Sequence, residues 1–69
     1  MTALQDRLLA AYARDDRAAL VTLYTEAADA AETIDAACFF LTHAYIYALE
    51  MGDPAARALY QRLKGFGRV

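Results

Sequence analysis

A chain of 69 residues has room for one domain with a small hydrophobic core, and such a core stabilises a fold only weakly. Its net charge of −2 argues against general affinity for nucleic acid, and Cys38, the single cysteine, excludes a disulfide within the chain. No signal peptide and no apolar window of membrane-spanning length is recognised, so we expect a cytoplasmic protein. Self-association is the source of additional stability that we expect.

The first two predicted helices are separated by a pair of aspartates. Thr2 followed by Gln5 is typical of a capping box, and a helix is predicted from there to about Ala13. Asp15 and Asp16 then interrupt the pattern, and Asp16 is placed to cap a second helix. The two apolar stripes consist of Leu4, Leu8, Ala11 and Tyr12, and of Leu20, Leu23, Tyr24 and Ala27.

The third predicted helix is the most apolar one. The polar run DAAET indicates a break near residues 30–33, where Thr33 can cap the third helix, although one long bent helix is an alternative. The helix predicted for Ile34 to Met51 has two apolar faces, which indicates burial on two sides. One face carries Ile34, Cys38, Leu41, Tyr45 and Ala48, and the other carries Phe40, His43 and Tyr47.

A fourth helix is predicted after the clearest boundary in the chain. Gly52 can adopt the left-handed conformation that ends a helix, Asp53 can cap the next helix, and Pro54 suits its first position. Gly65 is expected to end this helix, with Phe66 folding back over the last turn. The tyrosines on the four stripes, Tyr12, Tyr24, Tyr45 and Tyr60, are expected in the core.

The two halves of the chain are similar to each other. Leu8, Ala11 and Tyr12 correspond to Leu41, Ala44 and Tyr45, Asp16 to Asp53, and Leu23 and Tyr24 to Leu59 and Tyr60. The similarity predicts an all-α fold of four short helices in two antiparallel hairpins, with hairpin 1 at about 3–29 and hairpin 2 at about 34–65 of a single domain, 1–69.

The repeated pattern resembles the tetratricopeptide repeat. Leu8 with Tyr12, and Leu41 with Tyr45, match the spacing of the family's first helix. Leu9 and Thr42 depart from it, because the family has a small Gly there, and its terminal Pro is absent from both copies. An unrelated helical bundle is the alternative fold.

The resemblance also implies a mode of binding. First helices of such hairpins line a concave face that binds extended peptides, often by holding their carboxylates with basic side chains. The corresponding contacts in this chain are Arg7, Arg14, His43 and Tyr47. A protein or peptide partner is therefore expected.

The sequence offers little for catalysis or metal binding. One His and one Cys are too few for a zinc site, and Cys38 and His43 are turned about 140° apart on one helix. No Ser and no Gly-rich phosphate loop is present, while Asp15 and Asp16 are typical of solvated caps. We therefore expect no catalytic residue, no metal, no cofactor and no enzymatic activity, and we interpret His43 as a packing or partner contact.

Apolar side chains outside the main stripes favour a homodimer. The third helix is apolar around most of its circumference and must be covered by something besides three short Ala-rich helices. We expect an interface that contains Phe39, Phe40, Ile46 and Tyr47. The acidic middle and the basic end are expected to face each other across it.

The prediction for function is a non-catalytic module for protein–protein interaction or self-association. The alternative is an accessory or regulatory factor that binds nucleic acid through its basic C-terminal helix, although bulk nucleic-acid affinity is unlikely at this net charge. The cations concerned are Arg57, Arg62, Lys64 and Arg68.

Overall fold

The computed structural model describes residues 3–69, which form four α-helices and, within that range, no strand. These are α1 (Ala3–Ala13), α2 (Arg17–Ala30), α3 (Ile34–Met51) and α4 (Ala55–Gly65). The all-α class is confirmed. The proposed cap at Thr2 lies outside the described residues.

The break between α2 and α3 is real, so the alternative of one continuous helix is wrong. Residues 31–33 leave the helical conformation, and Thr33 accepts a hydrogen bond of 3.1 Å from the amide of Ala36 through its hydroxyl oxygen. Asp16 caps α2 in the same way, with its carboxylate 3.1 Å from the amide of Ala19. Asp53 accepts from the amide of Ala55 at 2.9 Å. All three predicted caps are confirmed.

The helices form a layer that is one helix thick. Each packs against its neighbours in the chain, α1 on α2, α2 on α3 and α3 on α4, and the backbones of α1 and α3 do not approach closely. The Cα atoms span 32 × 29 × 11 Å. Both broad faces of the layer are therefore open, and α3 is a central helix with a neighbour on each side.

The core lies in the seams between adjacent helices. Leu41, Ala44 and Ala48 of α3 have no exposed surface, and Ala11 of α1 is equally covered. Small alanines let the backbones come close, while leucines fill the remaining space. The largest fully buried side chains are Leu20, Leu41 and Leu63.

Two of the four stripe tyrosines do not lie in the core as predicted. Tyr24 is buried and Tyr45 is half-buried, but Tyr12 is 45% exposed and Tyr60 is 37% exposed. Tyr12 and Tyr60 belong to α1 and α4, which lie at the edges of the layer and have a neighbour on one side only. A single layer therefore cannot enclose large rings on its edge helices.

The end of α4 differs in detail from the prediction. The helix ends at Gly65 as expected, but Gly67 is the left-handed residue, with φ of 75°. The amide of Gly67 bonds to the carbonyl of Lys64 and that of Arg68 to the carbonyl of Leu63, which is the Schellman pattern. Phe66 remains 43% exposed and covers the last turn only in part.

The acidic middle and the basic end meet within the chain. Arg62 of α4 donates to Asp29 of α2 at 2.7 Å, and Arg68 donates to Asp35 at the start of α3. These charges were expected to face each other across a dimer. Within one chain the two ion pairs tie the C-terminal segment to the rest of the layer, and the arrangement across a dimer stays a prediction.

Candidate protein-interaction surface

The exposed side of α3 carries a regular row of side chains. Phe39, Thr42, Ile46 and Leu49 lie one after another at intervals of three, four and three residues. Phe39 is 58% exposed, Ile46 47% and Leu49 55%. These four residues are called the outer stripe. Their spacing is that of the contact positions of a coiled-coil helix.

The neighbours of α3 explain why the outer stripe is uncovered. Leu41, Ala44 and Ala48 direct the opposite side of the helix into the seams with α2 and α4. Ile46 lies two positions after Ala44, a rotation of about 200°, so it points away from the core. No second layer of helices lies over that side within the described residues. The outer stripe is therefore a consequence of the fold, not of a local irregularity.

Next to the outer stripe lies a cluster of rings from three helices. Tyr24 of α2 is at its centre and stacks on His43 and Tyr47 of α3, with ring centroids 5.2 and 6.0 Å apart. Tyr12 of α1 approaches Tyr24 and Tyr47 edge-on at 6.4 and 6.5 Å. With Phe40, 6.2 Å from Tyr24, these rings are called the aromatic cluster.

Phe39 joins the outer stripe to the aromatic cluster. Its ring lies 4.6 Å from that of His43 and 5.5 Å from that of Phe40, both in edge-to-face geometry. Such pairs contribute about 0.5–1.5 kcal/mol beyond the area that they bury. The partly exposed surface is therefore continuous from Tyr12 at the edge of the layer to Ile46 on α3.

The hydroxyl groups of the aromatic cluster converge. Tyr47 donates to the hydroxyl of Tyr12 at 3.4 Å, and the hydroxyls of Tyr12 and Tyr24 are also hydrogen-bonded. Donation to Tyr12 favours the protonated phenol and raises the pKa of Tyr47 to about 12. The pKa of Tyr12 is also raised, mainly by its hydrogen bond with Tyr24. The phenols of Tyr12 and Tyr47 are therefore neutral near pH 7.

The four residues predicted for an oligomer interface divide into two pairs. Phe39 and Ile46 are exposed on the outer stripe, whereas Phe40 and Tyr47 are half-buried against Tyr24. The second pair thus already has a partner inside the chain. Leu49 was missed, although its three-residue spacing from Ile46 was readable in the sequence.

The four predicted peptide contacts also divide. Arg7 and Arg14 line a shallow groove of about 330 Å³ between α1 and α2, and they pair with Glu26 at 3.1 Å and Asp16 at 3.4 Å. Tyr12, five positions after Arg7, is turned by about 140° and belongs to the aromatic cluster. His43 and Tyr47 therefore lie on a different surface from the two arginines.

His43 has ring partners on two sides. It is half-buried between Tyr24 and Phe39, and within residues 3–69 no hydrogen bond or ion pair engages its imidazole. The ring therefore contributes packing area to the aromatic cluster.

Polar groups border the apolar surface at both ends of α3. Arg68 pairs with Asp35 near the start of the helix, and Arg17 lies 3.8 Å from Glu50 near its end. A groove of about 550 Å³ runs beside the outer stripe at the first of these ends. It is lined by Asp35, Cys38, Phe39, Thr42, His43 and Arg68. An apolar centre with a charged border is the usual anatomy of a protein interface.

Other kinds of site receive less support from the described residues. No group of three potential metal ligands occurs among residues 3–69. None of the helices in that range has the length and apolar character needed to cross a membrane. Of the four C-terminal cations, Arg62 and Arg68 are engaged by acids of the same chain.

Comparisons of the chain with models of known protein families, with curated proteins and with solved structures gave no match. The surface must therefore be interpreted from its own chemistry.

Proposed function

We propose that this chain is a non-catalytic, cytoplasmic module that associates with a second copy of itself through the face formed by the outer stripe and the aromatic cluster. The observation that carries the proposal is the outer stripe, in which three of the four side chains, Phe39, Ile46 and Leu49, are large, apolar and about half exposed on the central helix. Exposed apolar surface of this regularity is typical of an interaction site. A domain of this size also gains stability when association buries more apolar area.

The tetratricopeptide-like interpretation belongs to the same proposal. It is supported by the recurrence of one junction in both halves, a left-handed residue followed by a capping aspartate, at Asp15–Asp16 and Gly52–Asp53. Ala11 and Ala44 are buried at equivalent positions, as are Leu23 and Leu59. The exposed apolar face, however, is on the outside of α3 and not in the groove lined by Arg7 and Arg14.

Binding of nucleic acid is the less favoured function. Arg62 and Arg68 would have to leave Asp29 and Asp35 to contact phosphates, and only Arg57 and Lys64 remain without an ion pair among the described residues. Two free cations give a small electrostatic contribution to binding.

A pair of matched substitutions tests the proposal. Ile46→Glu places a carboxylate in the outer stripe, and Leu9→Glu places one at a residue of α1 that is 59% exposed. Light scattering after size exclusion should report about twice the chain mass of 7.6 kDa for the parent and for Leu9→Glu, and the monomer mass for Ile46→Glu. A parent chain that is a folded monomer at millimolar concentration would contradict the proposal.

A further inference from the structure

The spacing of the outer stripe is symmetric, and this symmetry limits how two copies of α3 can pair. Its intervals of three, four and three residues read the same in both directions along α3. A row with this symmetry fits its own copy in a parallel or an antiparallel orientation, and a twofold axis allows both. The side chains at the four positions distinguish the two.

We infer that α3 pairs with α3 of a second copy in antiparallel orientation, with Phe39 facing Leu49 of the other copy and Thr42 facing Ile46. This inference rests on the proposed function and specifies its geometry.

The volumes of the outer-stripe side chains favour this pairing. In the antiparallel register each layer contains one larger and one smaller side chain, Phe39 with Leu49 and Ile46 with Thr42. A parallel register would place Phe39 on Phe39 at one end and Thr42 on Thr42 in the middle. The Thr42–Thr42 layer would be small and polar, and it would leave unfilled space next to the large Phe39–Phe39 layer.

The rest of the layer favours the same orientation. The aromatic cluster lies on the α2 side of the outer stripe, whereas α4, with exposed Arg57 and Lys64, lies on the other side. An axis perpendicular to α3 places the α2 side of one copy over the α2 side of the other, so Tyr12 and His43 meet apolar surface. An axis parallel to α3 would place them over the cationic α4.

The dimensions and charges of the face are compatible with such a dimer. The broad face of the layer measures 32 by 29 Å between Cα atoms, which is the scale of the roughly 800 Å² per partner in a standard interface. In the antiparallel register the Arg68–Asp35 pair of one copy lies within about one helical turn of Glu50 of the other. Both signs of charge are therefore present at each end of the contact.

Disulfide trapping distinguishes the two orientations. Phe39→Cys and Leu49→Cys are made in separate chains, one of which carries a mass tag, and both retain the buried Cys38. In an antiparallel dimer of one Phe39→Cys chain and one Leu49→Cys chain, the two new thiols are adjacent. In an antiparallel dimer of two identical variants, the two new thiols are about 15 Å apart along α3. A disulfide requires Cα atoms within about 7 Å. The parent chain, with Cys38 alone, is the control.

Mild oxidation of the mixture should give a covalent heterodimer at least about tenfold faster than either variant alone forms a homodimer. The untouched Leu49–Phe39 layer at the other end of the heterodimer should keep the pair associated. Faster trapping of the single variants would establish the parallel orientation and overturn the inference, and equal rates for the mixture and the single variants would overturn it as well. If light scattering shows a dimer but neither the mixture nor the single variants form a disulfide, the antiparallel pairing is refuted and self-association is not. If the parent chain is a monomer, both the antiparallel pairing and self-association are refuted.

Discussion

Asp15 and Gly52 have the same backbone conformation at the same place in the two hairpins. Their φ angles are 53° and 66°, and each comes after the last turn of a helix, α1 or α3. In both cases the next amide, that of Asp16 or Asp53, bonds to a carbonyl five residues back, at 2.9 and 2.8 Å. The aspartate at that position then caps the next helix. The two hairpins thus turn by one mechanism with different residues.

Replacing Asp15 by Gly should stabilise the protein. A left-handed conformation is unfavourable for a residue with a Cβ atom, and Gly adopts it freely. We expect a gain of about 0.5–1 kcal/mol in the free energy of unfolding for Asp15→Gly and a loss of about 1 kcal/mol for Gly52→Ala. Urea denaturation followed by circular dichroism measures both. A loss of stability in Asp15→Gly would show that the carboxylate of Asp15 contributes more than the strain it causes.

The helix boundaries were predictable because their causes are local. Asp16, Thr33 and Asp53 each cap an amide two or three residues ahead, and Gly52 ends α3 through its own backbone conformation. Such interactions depend on neighbouring residues in the chain, which the sequence shows directly. The conformation of Asp15 was not predicted, because Gly, not Asp, is the usual residue there.

The stability of the fold should decrease in alkaline solution as Tyr47 of the aromatic cluster ionises. Tyr47 has an ordinary pKa of 10.0 in the unfolded chain and about 12 in the folded one. Between these values the unfolded state has released more protons, so its free energy falls relative to the folded state as pH rises. The contribution of the Tyr47 hydroxyl to the free energy of unfolding is fully present below pH 10 and is lost as the pH rises to about 12.

The Tyr47→Phe variant should reduce this loss. Thermal midpoints measured between pH 9 and 12 should decline less steeply in Tyr47→Phe than in the parent, because the perturbed phenol is gone. Tyr60→Phe is the matched control, since its ring contacts Tyr45, outside the aromatic cluster. Equal slopes in the parent and Tyr47→Phe would contradict the assignment.

The ion pair between Arg62 and Asp29 should make a small, salt-dependent contribution. Nη2 of Arg62 lies 2.7 Å from Oδ1 of Asp29, but the two side chains are 39% and 60% exposed. Water and salt therefore screen the attraction between the two charges. We expect Arg62→Gln to lower the free energy of unfolding by up to about 1 kcal/mol at low salt and by less in 1 M NaCl. Lys64→Gln, on the same helix without an ion pair, should change little under either condition. A salt-independent loss would indicate that Arg62 acts through packing.

The location of the interaction surface was less predictable than the helices. Phe39 and Phe40 are neighbours in the chain and equally apolar, yet Phe39 is 58% exposed and Phe40 packs on Tyr24. Their difference depends on which side of α3 receives α2, a tertiary fact that hydrophobic pattern alone does not give. The sequence indicated that α3 is apolar on several sides, but not which side its neighbours leave open.

The two phenylalanines should therefore respond differently to truncation. Phe40→Ala removes a ring from a seam within the chain, so we expect the free energy of unfolding to fall by about 1–3 kcal/mol at every protein concentration. Phe39→Ala removes a ring from the outer stripe, so we expect monomer stability to change by less than about 0.5 kcal/mol beyond the loss of its contacts with His43 and Phe40.

The readout is the dependence of the thermal midpoint on protein concentration. A dimer that unfolds to monomers melts at a higher temperature when it is more concentrated, and a monomer does not. The parent and Phe40→Ala should both show this dependence, with Phe40→Ala displaced to lower temperature, whereas Phe39→Ala should lose it. If Phe40→Ala lost the dependence and Phe39→Ala kept it, the contact between copies would be centred on the aromatic cluster and not on the outer stripe, and Phe39 would be an exposed side chain without a partner.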